Sequence, residues 1–224
     1  MKNVLSAALL ASVAFAIVIA AQAPAPPSMP ATPAGCLASL REYRQALMKD
    51  VQARLTATGR QVTQEDVNAV GARSAEFASA CAAQFAKGGV AASDVAALAE
   101  LQVEAQQLGA ARQTIGRALD APGADAAAKA ATLTAGVRIL SRQIRQPGML
   151  DQAEAWVDEL EKLPASFVRE RIEAHGVLNG YYRADDIDAG IIRHSTRLIQ
   201  LNAGLTSDQR TPQVSNTIVA AYSN

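Results

Sequence analysis

CLASLREYRQALMKDVQARLTATGRQVTQEDVNAVGARSAEFASACAAQF, residues 36–85, carries two apolar stripes with helical spacing on either side of a single break. Leu40, Tyr43, Leu47, Val51 and Leu55 recur in steps of three and four, which puts them on one face of a helix from Cys36 to about Thr58. Gly59-Arg60 interrupts the pattern. Thr63 followed by Asp66 resembles a capping box, with Asp in place of the usual Glu or Gln. A second stripe then runs through Val67, Val70, Ser74, Phe77, Cys81 and Phe85 and stops at Gly88-Gly89. Two antiparallel helices turning near Gly59 bring residue 36 opposite the low eighties. Cys36 and Cys81 are the only cysteines, and their midpoint falls on that turn. The reading predicts a structural disulfide between them, with two buried free thiols as the alternative.

Downstream, the same period continues. Ser93 and Asp94 open a third predicted helix with its stripe at Leu98, Leu101, Ala105, Leu108, Ile115 and Leu119, ended by Ala121-Pro122-Gly123. A fourth carries Ala126, Ala130, Leu133, Val137, Leu140 and Ile144 and stops at Pro147-Gly148. Five of the nine prolines lie between Pro24 and Pro33, and the other four fall between helical stripes or at the first turn of one. A proline ring breaks the hydrogen-bond ladder of a helix interior, so this placement suits a chain of successive helices. Half of the residues are hydrophobic but only 4% are aromatic, so Ala, Leu, Val and Ile must build the core. The expected fold is all-α, with antiparallel helical hairpins arranged as a bundle or a solenoid.

The first residues bear on location. Lys2 precedes an apolar run from Val4 to Ala21, followed by the proline- and alanine-rich stretch. That order reads as an export signal at residues 1–21 and a disordered linker at 22–35, which implies a periplasmic or secreted protein. Cleavage near Ala20 or Ala21 is one reading. An uncleaved inner-membrane anchor is the other, and only in that case does the membrane become a partner. The folded part divides into a helical bundle at 36–146 and a second helical region at 149–224. Acidic and basic residues balance at 21 each, so no long-range field draws nucleic acid, and no nucleic-acid partner is expected.

In the second region Leu178-x-x-x-Tyr182 is echoed forty residues later by Ile218-x-x-x-Tyr222. Each lies late in a helix with a capping signal before it, Ser166 for the first and Thr211-Pro212 for the second. Between them Ile187, Ile191, Leu198 and Leu201 mark another helix. Over about 75 residues this region resembles a degenerate tetratricopeptide-type repeat. Leu178 and Tyr182 stand at the family's first-helix leucine and tyrosine, and Leu150 to Pro164 is similar to a preceding second helix with Ala153 at its small-residue position. Three features depart from the family. The spacing is forty residues rather than about thirty-four, Asn179 replaces the usual glycine, and the first helix lacks its tryptophan. The resemblance implies a groove for a peptide or partner protein, lined by first helices, with Glu173, Gly180 and Arg183 on its face. An ordinary helical hairpin with leucine and tyrosine core contacts also suits these residues. The stripe Val214, Ile218, Ala221 and Tyr222 needs cover, either from the rest of the bundle or from chain beyond Asn224.

Other chemistry is sparse. His175 and His194, nineteen apart, read as packing or surface residues, since a metal site wants closer or more numerous ligands. Asp185, Asp186 and Asp188 read as capping and dipole acids at a helix start rather than a calcium loop. Arg138, Arg142 and Arg145 share one helix face and read as a solvated cationic face at the helix's negative end. No nucleophile elbow, phosphate loop or dinucleotide fingerprint is present, so the sequence predicts no catalytic residue, no metal and no cofactor. Two functional readings result: an exported, non-catalytic helical scaffold that binds a protein or peptide, or the helical front of a larger exported enzyme. A structural envelope protein is a third.

Overall fold

The computed structural model describes residues 23–86, 88–121 and 123–222. The export signal expected at residues 1–21 therefore lies outside the described residues. Within them the chain is all-α: nine α-helices, each antiparallel to the next, two single 3-10 turns and no strand. In chain order they are α1 Pro33–Thr58, α2 Gln64–Ala86, α3 Val95–Glu104, α4 Leu108–Asp120, α5 Ala126–Ser141, α6 Met149–Glu161, α7 Val168–Ala184, α8 Asp188–Ala203 and α9 Pro212–Tyr222.

The stripes become the core. Leu40, Tyr43, Leu47, Val51 and Leu55 of α1 pack on Val70, Phe77 and Cys81 of α2 and on Leu98 and Leu101 of α3. Val67, included in the α2 stripe by its spacing, is 43% exposed. Each helix also packs on the helix two places along wherever both are odd-numbered: α1 on α3, α3 on α5, α5 on α7 and α7 on α9. The odd-numbered helices thus form one continuous layer. Helix α5 lies in its middle, against α3, α4, α6 and α7, and even its Thr132, Thr134 and Gly136 are buried. The last stripe finds its cover within the chain. Val214, Ile218 and Ala221 are buried in one cluster with Val168 and Ile172 of α7 and Leu198 and Leu201 of α8, and Tyr222 stays exposed.

Helix ends explain the turns. Gly59 closes α1 at φ 65°, with Arg60 N–H donating to the Leu55 carbonyl and Gly59 N–H to that of Thr56, the paired bonds of a Schellman cap. The same bond pair recurs where no glycine signals it. Gln106 takes φ 61° and divides the single helix predicted from Ser93 to Ala121 into α3 and α4. Asp186 takes φ 55° and ends α7. Helix α1 begins three residues before the predicted start, because the Thr32 hydroxyl accepts a bond from Gly35 N–H and Pro33 occupies the first turn. Residues before it lie against the body: the Pro24 carbonyl accepts from Tyr43 and the Pro30 carbonyl from Gln84. No helix among the described residues is long and apolar enough to cross a membrane.

Helical glycines mark close crossings. A Cβ on Gly136 of α5 would collide with the Trp156 ring of α6, and one on Gly190 of α8 would collide with the Tyr182 ring of α7. Gly116 of α4 has open space at the same position. Urea denaturation is therefore expected to show Gly190→Ala destabilised by about 1–3 kcal/mol through overpacking. Gly116→Ala is expected to be stabilised by up to about 1 kcal/mol through helix propensity alone. Equal effects at the two positions would contradict the crossing.

Candidate functional site

Helices α6, α7 and α8 enclose a polar cluster inside an otherwise apolar body. His175 of α7 and His194 of α8 are 3% and 0% exposed, and their Nδ1 atoms lie 2.7 Å apart. The outer nitrogens face carboxylates of α6: His175 Nε2 is 2.9 Å from Glu161 Oε1, and His194 Nε2 is 3.0 Å from Glu154 Oε1. Glu154 and Glu161 are two helical turns apart on one helix, so one face of α6 presents both. Around this chain lie further partners. Arg197 grips both oxygens of Glu161, at 2.9 and 2.6 Å, in a bidentate pair. Arg193 is 3.0 Å from Glu154 Oε2 and 2.7 Å from Asp158. Tyr182 stacks on His194 and donates its hydroxyl to Glu154 at 2.6 Å. Buried Arg171 donates to the Glu161 and Leu163 carbonyls, so it also satisfies the open end of α6.

These contacts set the charges. Burial opposes ionisation of Glu161, but the hydrogen bonds from His175 and Arg197 outweigh it and hold the carboxyl down at about 2. Glu154 is lowered in the same way: burial is outweighed by His194, Tyr182 and Arg193. Burial depresses the basicity of His175 below the ordinary histidine range, and Glu161 offsets only part of that. Burial and Glu154 together raise the Tyr182 phenol. A cleft of about 430 Å³ lined by Glu161, Arg193, Thr196, Arg197 and Gln200 opens onto His175.

The groove residues named from the sequence fall elsewhere. Glu173, Gly180 and Arg183 line a second cleft of about 330 Å³ between α7 and α9, with Asn179, Gln213 and Thr217. Arg183 donates to the Ala220 carbonyl of α9 at 2.7 Å, and Glu173 pairs with Arg138 at 3.1 Å. Cys36 and Cys81 are both fully buried in the α1–α2–α3 core as free thiols. Cys36 Sγ donates to the Pro30 carbonyl, and burial, together with the neighbouring Cys36, pushes the Cys81 thiol up to about 12. The three arginines do not share one helix face, because α5 ends at Ser141 and Arg142 and Arg145 lie beyond it, but all are ion-paired: Arg138 with Glu100 and Glu173, Arg142 with Glu104, and Arg145 with Asp185. The three aspartates do not converge, and no group of three or more metal-ligating side chains is placed to hold a metal among the described residues.

Sequence reasoning took the histidines singly and so missed the cluster. Its one legible trace is the seven-residue spacing of Glu154 and Glu161 opposite Arg171, His175, His194 and Arg197 on the following hairpin. Set beside known protein families, curated proteins and solved structures, the chain matches none.

The depressed Glu161 carboxyl binds its proton less readily in the folded chain than at the ordinary value of 4.5. Its contribution is therefore complete above pH 4.5 and is lost as pH falls towards about 2. Glu161→Gln is expected to cost about 2 kcal/mol at pH 7, allowing for the quarter of the side chain open to water. The substitution is also expected to flatten the decline between those two pH values. Denaturation curves for both proteins across that range check the slope.

Proposed function

We propose that this is an exported, non-catalytic helical protein that binds an extended segment of a partner protein in the cleft between α7 and α9. The observation that carries this reading is the convergence of Glu173, Gly180 and Arg183 on one cleft. The resemblance to a tetratricopeptide-type repeat singles them out, and the cleft is walled by two odd-numbered helices. A tetratricopeptide-like stack needs its first helices in one layer, and the odd-numbered helices meet that need. Leu178 and Tyr182 are buried in α7, as the resemblance requires. Asn179, where the family has glycine, is buried too and takes a hydrogen bond from Ser195 of α8. Glu173, Arg183, Gln213 and Thr217 offer charged, amide and hydroxyl groups suited to a peptide main chain and its polar side chains. Export is supported by Lys2, the apolar run to Ala21 and the prolines that follow.

Panning a random-peptide display library against the protein, followed by calorimetry with the selected peptides, tests the cleft. Arg183→Glu is expected to weaken them at least about tenfold, a loss of roughly 1.4 kcal/mol, with helicity and melting unchanged. Selected peptides that bind the variant as well as the parent would remove the cleft from consideration.

An oxidising compartment would join Cys36 to Cys81, closing a loop that spans both α1 and α2. Intact mass of the exported protein is expected to rise by two hydrogens on reduction. The bridge is expected to contribute about 4 kcal/mol by the loop-entropy estimate, read as a lower melting point of the reduced form.

A further inference from the structure

The polar cluster of α6, α7 and α8 fixes its own proton count. An ionised carboxylate only accepts, so each histidine Nε2 must carry a proton to bond its glutamate. The two Nδ1 atoms, 2.7 Å apart, have room for one proton between them. The two rings therefore hold three protons and share a single positive charge. Removing the shared proton leaves a ring nitrogen lone pair with no donor facing it, either towards the other ring or towards a glutamate. Adding a fourth sets two N–H groups against each other and two cations side by side in a buried site.

We propose that His175 and His194 form a latch, closed by one shared proton, that fastens α8 to α7 and α6 near neutral pH and releases it in acid. The charged and titratable groups facing the pair come from three helices. Helix α6 contributes Glu154, Asp158 and Glu161, α7 contributes Arg171 and Tyr182, and α8 contributes Arg193 and Arg197. Helix α5 turns Lys129 to Glu159 and Arg138 to Glu100 and Glu173, away from the pair. Tyr222, the one titratable side chain described in α9, bonds Asn202. The carboxylates of Glu154, Asp158 and Glu161 are matched in number by Arg171, Arg193 and Arg197, so a second imidazolium adds a charge that no further carboxylate balances.

The direction follows from where the protons go. An unfolded histidine takes up its proton near pH 6.5, whereas burial makes folded His175 resist it. Below about pH 6.5 the unfolded chain therefore binds more protons than the folded one, and stability falls as pH falls. Glu161 stays ionised down to about 2, so the first response to acid belongs to the histidines. The cleft that reaches His175 gives solvent protons a route in. This latch does not rest on the peptide cleft and stands or falls separately from it.

Melting of the protein between pH 8 and 4.5, with His175→Gln alongside, tests the latch. The parent is expected to lose roughly 4 °C or more between pH 7 and 5, the scale for one extra proton bound by the unfolded chain at this length. The variant is expected to melt lower at pH 7 and to change little across the same range. A variant that declines as steeply as the parent overturns the proposal. Imidazole nitrogen NMR of the unmutated protein keeps the test open even if the variant fails to fold. One protonated and one bare Nδ1 at pH 7 supports the shared proton. Two rings that both become doubly protonated near pH 6.5, with α8 amide signals unmoved, overturn it.

Discussion

Close approach of helices across alanine and glycine is the constraint on which this fold depends. With so few aromatic residues, the interfaces are built from short side chains, and Ala78, Ala99, Ala111, Ala130, Ala135, Ala153 and Ala174 are buried almost to the last atom. Short side chains let a helix come near two neighbours at once, its hairpin partner and the helix two places along. Helix α5 shows the result, touching four others while keeping threonines and a glycine inside. Two of the large rings are then placed over glycines, Trp156 over Gly136 and Tyr182 over Gly190. Each such glycine sacrifices up to about 1 kcal/mol of helix propensity for the approach it permits.

Charge follows the same layering. Along the odd-numbered helices, Arg41 and Arg44 of α1 meet Glu100 and Glu104 of α3, which meet Arg138 of α5 and Arg142 just past its end, and Arg138 continues to Glu173 of α7. Pairs this exposed contribute at most about 1 kcal/mol each, so the alternation sets register more than stability. The cluster around His175 and His194 differs in kind. Its groups are removed from water, and an unmet donor or acceptor there costs far more than one at the surface. It is accordingly the place where the structure can satisfy only one arrangement of protons.

Much of this was legible in the sequence, for reasons that can be named. Leu40, Tyr43, Leu47, Val51 and Leu55 announced their helix because periodicity is a local property that burial then enforces. Gly59 announced its turn because a left-handed residue favours glycine. Gln106 and Asp186 adopt the same left-handed conformation with side chains that give no such sign, so the turn between α3 and α4 was invisible. The Thr32-Pro33 cap was hidden among neighbouring prolines, although Thr211-Pro212 is legible by the same rule. The histidine pair was missed for a different reason. It depends on the register of three helices, which no single stripe encodes.

Helix α7 joins the two clefts. Glu173, Gly176, Gly180 and Arg183 recur in steps of three and four on the side towards α9, and His175, Leu178, Asn179 and Tyr182 recur on the side towards α6 and α8. Two residues along a helix correspond to about 200° of rotation, so these stripes lie on nearly opposite faces. One short helix therefore forms a wall of the α7–α9 cleft and holds one half of the histidine pair. A helix moves as a rod, so any change in how α7 seats against α8 also changes the distance between α7 and α9 at the cleft. Contact alone does not make that a coupling, since coupling requires an element with two arrangements that both sites bias. The shared proton supplies the two arrangements on one face. Whether the other face reads them depends on Gly176, which lets Thr217 of α9 sit directly against the α7 backbone with no side chain between to absorb the movement.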